Sequence, residues 1–254
     1  MSQRGGRVVH CPSGMGSQLA SENAVDRRTS STFVVVPSYN EGEVLRSTIT
    51  PLIDRGYSVV VVDDGSSDST WSLIRDLPIH ALQHPINLGQ GAALQTGMSY
   101  ALRCGAEFVI HFDADGQHPL DQIEELLEPV RSGQADVALG CRFMRLEDGQ
   151  QVPRIKRIVL RGGAIVSGLM TGVWLRDSHN GFRALSRKAV EKIHLSENGF
   201  AHATEILREI RRHRLRYTEV PTTIRYSTYS MAKGQRVTNA VNILMDLIIG
   251  KVLR

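Results

Sequence analysis

Apolar and polar positions follow one another in blocks along this chain. Phe33 to Val36 is a β-branched apolar run closed by Pro37, the pattern of a strand buried on both faces. A helix is expected from about Glu41. Ser58 to Val62 repeats the run and stops at Asp63-Asp64-Gly65-Ser66-Ser67-Asp68, a turn-rich cluster whose last Asp can cap a helix beginning near Ser69. Ile79 to Leu82 reads as a short third strand, Gly91 to Arg103 as a helix, and Glu107 to Phe112 as a fourth strand running into Asp113-Ala114-Asp115. Leu120 to Val130 then reads as a helix and Val137 to Leu139 as a strand. Strands alternating with helices predict an α/β fold: a Rossmann-like, mostly parallel sheet flanked by helices, with right-handed crossovers and ligands beyond the carboxyl ends of the strands. The acidic clusters fall at those ends.

The two ends of the chain depart from this rhythm. Residues 1–31 are rich in Ser, Gly and Arg, lack apolar periodicity and contain no signal-peptide core, so they read as a loose tail. From Arg236 the residues Val237, Val241, Leu244, Ile248 and Val252 form a helical apolar stripe beside Asn239, Asn242 and Asp246. That predicts a C-terminal amphipathic helix over 236–254. It can pack on the domain, pair with a second subunit, or lie in a membrane interface near Lys251 and Arg254. Residues 32–235 between them suit one domain. No stretch reaches the roughly 18 uncharged apolar residues that span a bilayer, because Arg161 interrupts one candidate and Asp246 another, so membrane contact is expected from the surface only.

Composition adds little. The net charge of +4 comes without a dominant Lys/Arg block, which gives no support to nucleic-acid binding and suits an anionic ligand or membrane surface. The arginines from Arg208 to Arg216 read as a solvated helix face. Cys11, Cys104 and Cys141 are odd in number and show no CxxC spacing, so neither a disulfide framework nor a zinc ribbon is indicated and a reducing, cytoplasmic setting fits.

The chemistry concentrates in the acidic clusters. Asp113 and Asp115, two apart just beyond a buried strand, can converge on a hard divalent cation while Gln117 offers an amide oxygen. Mg²⁺ or Mn²⁺ held there would neutralise a leaving diphosphate. An isolated Asp-x-Asp is also an ordinary turn, and its place after a strand favours the site. His111 and His118 flank it, but the oxygen ligands suit a harder ion than zinc, and the two histidines read as packing or hydrogen-bonding residues. Asp64 can accept hydrogen bonds from a nucleoside or serve only in a cap, and Asn87-Leu88-Gly89-Gln90-Gly91 can serve a phosphate or cap the helix it opens. No dinucleotide fingerprint and no GxxxxGK[ST] loop is present. A dehalogenase-type phosphatase wants Thr after its second Asp, where this chain has Gly116-Gln117.

Taken in order, Pro37-Ser38-Tyr39-Asn40-Glu41, Asp63 to Asp68, Asn87 to Ala92, Asp113 to His118 and Asp177 to Arg183 resemble the motifs of family 2 glycosyltransferases, in particular those acting on dolichyl and polyprenyl phosphates. The resemblance runs from about Phe33 to Lys233 and implies a GT-A fold and an inverting transfer of a hexose from a donor of the GDP-mannose or UDP-glucose type. By that resemblance Pro37, Tyr39, Glu41, Asp64, Asp113 and Ala114 bind the nucleotide sugar, joined by Arg225 and Lys233 at the diphosphate. Asp113, Asp115 and Gln117 hold the metal. Asp115, Asp177, Arg142 and Lys156 form the catalytic set, with Arg142 and Lys156 facing an acceptor phosphate and Leu160 standing where a hydroxyl is expected. A phosphate acceptor is already dianionic near neutral pH and needs no base, whereas a saccharide hydroxyl would make Asp177 or Glu205 the general base. The implied partners are the nucleotide diphosphate sugar and a lipid phosphate at the cytoplasmic face of a membrane. The alternatives are a hydroxyl acceptor, or a non-catalytic sugar-nucleotide binder.

Overall fold

The computed structural model describes residues 31–144, 154–178, 180–199 and 201–224. Seven strands and seven helices follow in order: β1 Thr32–Ser38, α1 Gly42–Asp54, β2 Ser58–Asp63, α2 Thr70–Ile74, β3 His80–Gln83, α3 Gln90–Arg103 and β4 Phe108–His111. A 3-10 turn then leads into α4 Ile123–Arg131, followed by β5 Val137–Cys141, α5 Arg154–Thr171, β6 Arg183–Ser186, α6 Arg187–Lys192, α7 His202–Arg212 and β7 Tyr217–Pro221. The strands form one sheet in the order β3-β2-β1-β4-β6-β5-β7.

The continuous apolar runs have a direct cause. Successive side chains of a strand point to opposite faces, and both faces of this sheet are covered. Phe33, Val35, Val60 and Val62 pack with Leu94 and Met98 of α3 and Ile206 of α7. Val34, Val36, Val59 and Val61 pack with Leu45, Ile49 and Leu52 of α1 and Leu126 and Leu127 of α4 on the other side. α3 lies so close to β1 that a Cβ on Gly97 would come within 2.3 Å of Val35 Cγ1.

All pairings are parallel except those of β6, which runs antiparallel to both β4 and β5. The alternating pattern anticipates the parallel strands but not this one, whose four residues carry too short a run to announce a direction. Because β6 is reversed, its first residue, Arg183, lies opposite His111 at the carboxyl end of β4. The segment before β6 therefore reaches the same edge as the acidic cluster.

Predicted boundaries hold within one or two residues, and the expected helix over 120–130 divides into the 3-10 turn and α4. The tail before residue 31 and the amphipathic helix over 236–254 lie outside the described residues. Cys141 is free and buried. Among the described residues no helix is long and apolar enough to cross a membrane.

Candidate active site

The chain builds β1, β2 and β3 in one direction and then returns to place β4 on the other side of β1. At such a reversal the loops leaving the two central strands part, and a crevice opens beyond their carboxyl ends. Pairing of β1 with β4 ends at Val35 opposite His111. Pro37 comes two residues later, where no ladder bond to β4 asks for its missing N–H. Ser38 and Tyr39 leave on one side of the crevice and Phe112 and Asp113 on the other. Tyr39 is exposed.

The first two motifs are tied together. Asn40, with φ of 54°, donates its backbone N–H to Ser66 Oγ at 2.9 Å, and its Oδ1 accepts from Ser67 N at 2.9 Å. Asp68 stands one residue before the N-cap Ser69, rather than at the cap its position suggested, and accepts from Thr70 N at 2.9 Å through Oδ1 and from Gly42 N at 3.2 Å through Oδ2.

Asp64 is buried and does something other than cap a helix. Its Oδ1 accepts from His84 Nδ1 at 2.7 Å and Leu88 N at 2.9 Å, and its Oδ2 from Gly89 N at 2.7 Å. It thereby clamps the loop that opens α3. The start of α3 is also occupied: Gly91 N donates to Asn198 O at 2.8 Å, and Cβ atoms on Gly89 or Gly91 would meet the carbonyls of Asn198 or Glu197 within 2.2 Å. Packing against residues 197–198 accounts for the Gly91 amide and for the two glycines of this loop.

Asp113 and Asp115 stand at the mouth of the crevice in different states. Asp113 accepts from Gln90 Nε2 at 3.1 Å and from His118 Nε2 at 2.9 Å. His118 is held by stacking on Phe182 (centroids 5.0 Å apart) and by the edge of Phe112 at 5.4 Å. Burial pushes the Asp113 carboxyl up, but His118, with Arg183 and His202 behind it, outweighs this and holds it below its ordinary value. Asp115 makes no hydrogen bond to a cation among the described residues, and His118 reaches it only through space. Burial, then the charges of Asp113 and Glu41, push its carboxyl up to about 6, although Gln117 N donates to it at 3.0 Å.

The fifth motif closes the site from below. Gly181 presses on Asp113, where an added Cβ would lie 2.4 Å from Oδ2. Arg183 is buried, its Nη1 has no hydrogen-bond partner, and burial lowers it to about 10 while Asp113 and Asp177 act against this. His202, whose Nδ1 donates to Gly199 O, is pushed down to about 4 by burial and by Arg183. His111 is fully enclosed, both ring nitrogens lack partners, and burial takes it well below its ordinary range.

Arg142 and Asp177, assigned separate roles by sequence, meet each other. Nε and Nη2 of Arg142 donate to the two Asp177 oxygens at 2.5 and 2.6 Å, and Arg142 N adds a third bond at 3.1 Å. Both residues are buried. Glu205, the other candidate base, accepts from Ser196 N, Ser196 Oγ and Glu197 N and so holds the loop ahead of α7. Lys156 lies on α5 with its side chain outside the described set, and Arg225 and Lys233 lie outside it altogether. His118 packs and hydrogen-bonds as expected, while Gln90, Gly181 and Arg183 are contributors to the Asp113 environment that sequence reasoning left without a role; each lies inside a quoted motif.

Two carboxylates at the switch point of a mostly parallel sheet, backed by an antiparallel strand, define a GT-A glycosyltransferase. The chain belongs to glycosyl transferase family 2, whose model matches residues 33–194. It is 36% identical over 223 residues to an uncharacterized protein of Methanocaldococcus jannaschii, covering 87% of this chain and 92% of that one. It is 29% identical to the UDP-N-acetylglucosamine–dolichyl-phosphate N-acetylglucosaminyltransferase of Methanococcus voltae (87% and 97% covered). The polyprenol monophosphomannose synthase of Mycolicibacterium smegmatis is 32% identical (72% of each chain). Among solved structures, Mycobacterium tuberculosis glucosyl-3-phosphoglycerate synthase superposes with a TM-score of 0.63 at 19% identity, over 88% of this chain and 80% of that one, and shares the fold.

Proposed function

We propose that this glycosyltransferase transfers a hexose from a nucleotide diphosphate sugar to a polyprenyl or dolichyl phosphate with inversion at the anomeric carbon, residues 32–235 forming the catalytic unit. The observation that carries the donor half is the closeness of two carboxylates, Asp113 and Asp115, at the crevice mouth, where burial and Asp113 raise Asp115. The relatives named for lipid-phosphate acceptors support the other half.

Among the described residues no trio of His, Cys, Asp and Glu is gathered about one point. The donor set is instead two carboxylates and the Gln117 amide, all oxygen, which suits Mg²⁺ or Mn²⁺ completed by diphosphate oxygens and water. Asp113, Asp115 and Gln117 would hold the ion, which neutralises charge on the departing nucleotide. Pro37, Tyr39, Glu41 and Ala114 line the crevice toward the nucleoside, Asp64 shapes it by fixing residues 84–89, and Arg225 and Lys233 are assigned to the diphosphate. The acceptor phosphate oxygen forms its bond to the anomeric carbon on the face opposite the diphosphate, and the bond to the diphosphate breaks. Arg142 and Lys156 orient the acceptor, Arg142 sharing its charge between that phosphate and Asp177. A general base is unnecessary, because the second phosphate pKa of about 6 leaves a dianion at neutral pH. Asp177, the base a hydroxyl acceptor would require, is engaged by Arg142.

The test incubates purified protein with Mn²⁺, a panel of nucleotide sugars and either short-chain polyprenyl phosphate or soluble saccharides, and reads products by mass. Glycosyl phosphate products are expected. Transfer confined to saccharide hydroxyls would reverse the acceptor assignment.

A further inference from the structure

The Asp113 carboxylate is held from several sides at once. Its Oδ1 accepts from Gln90 Nε2 at 3.1 Å and its Oδ2 from His118 Nε2 at 2.9 Å, while a Cβ on Gly181 behind it would lie 3.0 Å from the carboxyl carbon. One donor on each oxygen fixes the plane of the group and leaves lone pairs of both oxygens for a ligand in the crevice. His118 and Gly181 belong to the loops next to Asp113 in the sheet. Gln90 comes from α3, so its place depends on what holds the start of that helix.

The neighbours of Gln90 are fixed by different parts of the chain. Gly89 N goes to Asp64 Oδ2 at 2.7 Å, and Gly91 N to Asn198 O at 2.8 Å. One turn further along α3, Gln95 Oε1 accepts from Leu195 N at 2.7 Å, so one face of the helix grips residues 195–198 twice. That segment is itself tied to α7. Buried Glu205 accepts from Ser196 N at 3.0 Å, from Ser196 Oγ and from Glu197 N at 2.9 Å, and His202 Nδ1 donates to Gly199 O at 2.8 Å. A continuous path therefore runs from Glu205 through the backbone of 196–198 to Gly91, then through the Gln90 side chain to Asp113. Packing alone does not call for its last step: Gln90 is half-buried, and Asp113 already has His118 as a partner. A second donor on a carboxylate matters most when that carboxylate must present one orientation to an ion, and outer partners of this kind typically change metal affinity by about 10- to 100-fold.

We propose that Gln90 is a positioning residue for Asp113 as a ligand of the divalent cation, and that Glu205 acts on the same carboxylate from a distance by setting the 195–198 segment against which Gln90 is placed. This rests on the reading that Asp113 holds the cation. It gives Glu205 a duty on the donor side that requires neither contact with the sugar nor transfer of a proton.

The experiment measures Mn²⁺ bound by the full chain in the presence of UDP or GDP, read from the free-ion signal in electron paramagnetic resonance, beside urea unfolding in chelator. Gln90→Met keeps the length and helix propensity of the side chain and removes its donor. It should weaken Mn²⁺ about tenfold or more and alter the spectrum of the bound ion, at an unfolding midpoint close to that of the parent. Glu205→Ala should lose a similar factor together with stability, and Glu205→Gln, which keeps one acceptor oxygen, should fall between; where Glu205→Ala does not fold, Glu205→Gln carries the comparison. Gln90→Met combined with the Glu205 change should lose no more than the worse single variant, because both remove one support. The probe carries no sugar, so a Glu205 that only touched the hexose or served as a base would leave these values unmoved. Parental Mn²⁺ affinity in Gln90→Met, or losses that multiply in the double variant, would overturn the positioning role. Asp113→Asn tests the underlying reading: no Mn²⁺ uptake by the parent, or equal uptake by Asp113→Asn, would sink the cation site itself, whereas loss in Asp113→Asn without loss in Gln90→Met would sink only the role of Gln90.

Discussion

Removing one partner of the Arg142–Asp177 pair distinguishes a structural from a chemical role for each residue. Both side chains are buried, the contact is bidentate at 2.5 and 2.6 Å, and Arg142 N adds a third bond to Asp177. Breaking a buried pair by removing one member leaves the other charge uncompensated and costs about 3–5 kcal/mol. For a chain of this size that corresponds to a fall of roughly 10 °C in the thermal midpoint. Asp177→Asn and Arg142→Ala should each show it in urea unfolding. The double variant should cost less than the sum of the singles by about 2 kcal/mol, because the second change removes a charge already stranded. Additive effects, or single changes below about 0.5 kcal/mol, would refute the pair as a structural unit. Kinetics separate the remaining possibility. If Asp177 acts as a base, Asp177→Asn loses turnover far beyond what its lost stability explains, and only on hydroxyl acceptors.

Three further outcomes follow from the geometry around the two acidic clusters. Asp115 titrates near 6 in the folded chain against an ordinary 3.8, so without metal the fold is most stable when this group is protonated and loses stability as pH rises from about 4 to about 6. Asp115→Asn should therefore stabilise the metal-free protein at pH 7, by up to about 3 kcal/mol, while abolishing Mn²⁺-dependent nucleotide binding in calorimetry; parent Mn²⁺ affinity should climb between pH 5 and 6 and then level. Gly181→Ala should weaken the same Mn²⁺-dependent binding by tenfold or so with helical content intact, since its Cβ displaces Asp113 Oδ2; unaltered affinity would remove Gly181 from the site. Asp64→Ala strands the donors of His84, Leu88 and Gly89 and should cost about 3 kcal/mol in urea unfolding as well as raising the donor Michaelis constant. A raised constant at parental stability would mean Asp64 contacts the nucleoside rather than the loop.

The sheet was readable in the sequence because both of its faces are covered, which turns strands such as Val59 to Val62 into unbroken apolar runs flanked by acidic turns. The reversal of β6 was not readable. Direction depends on pairing with His111 and Leu139, residues far away in the chain, and Arg183 to Ser186 carries no mark of it. The Asp113 and Asp115 pair could be placed from its position after a strand, but the difference between the two carboxyls could not, since His118 hydrogen-bonds Asp113 while acting on Asp115 only through space, and Arg183 adds its charge at Asp113. For the same reason Arg142 and Asp177 were given opposite duties: nothing local tells a guanidinium that faces a ligand from one that faces a carboxylate brought in by the fold. Asp64 was singled out as an acceptor for a nucleoside, whereas its partners within the chain are the His84 ring and two backbone amides of a kind that a sequence presents at every position.

Because β6 is antiparallel to β5, Gly140 N donates to Phe182 O, and the chain re-enters the sheet beside the point at which it left. Everything between, including α5, is an excursion whose two ends are stapled together. Lengthening or exchanging such an excursion changes little closure entropy, since its ends are already joined. The donor half of the sheet, β1 to β4, contributes no residue to it. Exchange of segment 143–176 is therefore expected to leave the nucleotide crevice standing, which unchanged Mn²⁺-dependent nucleotide binding by such a chimera would show.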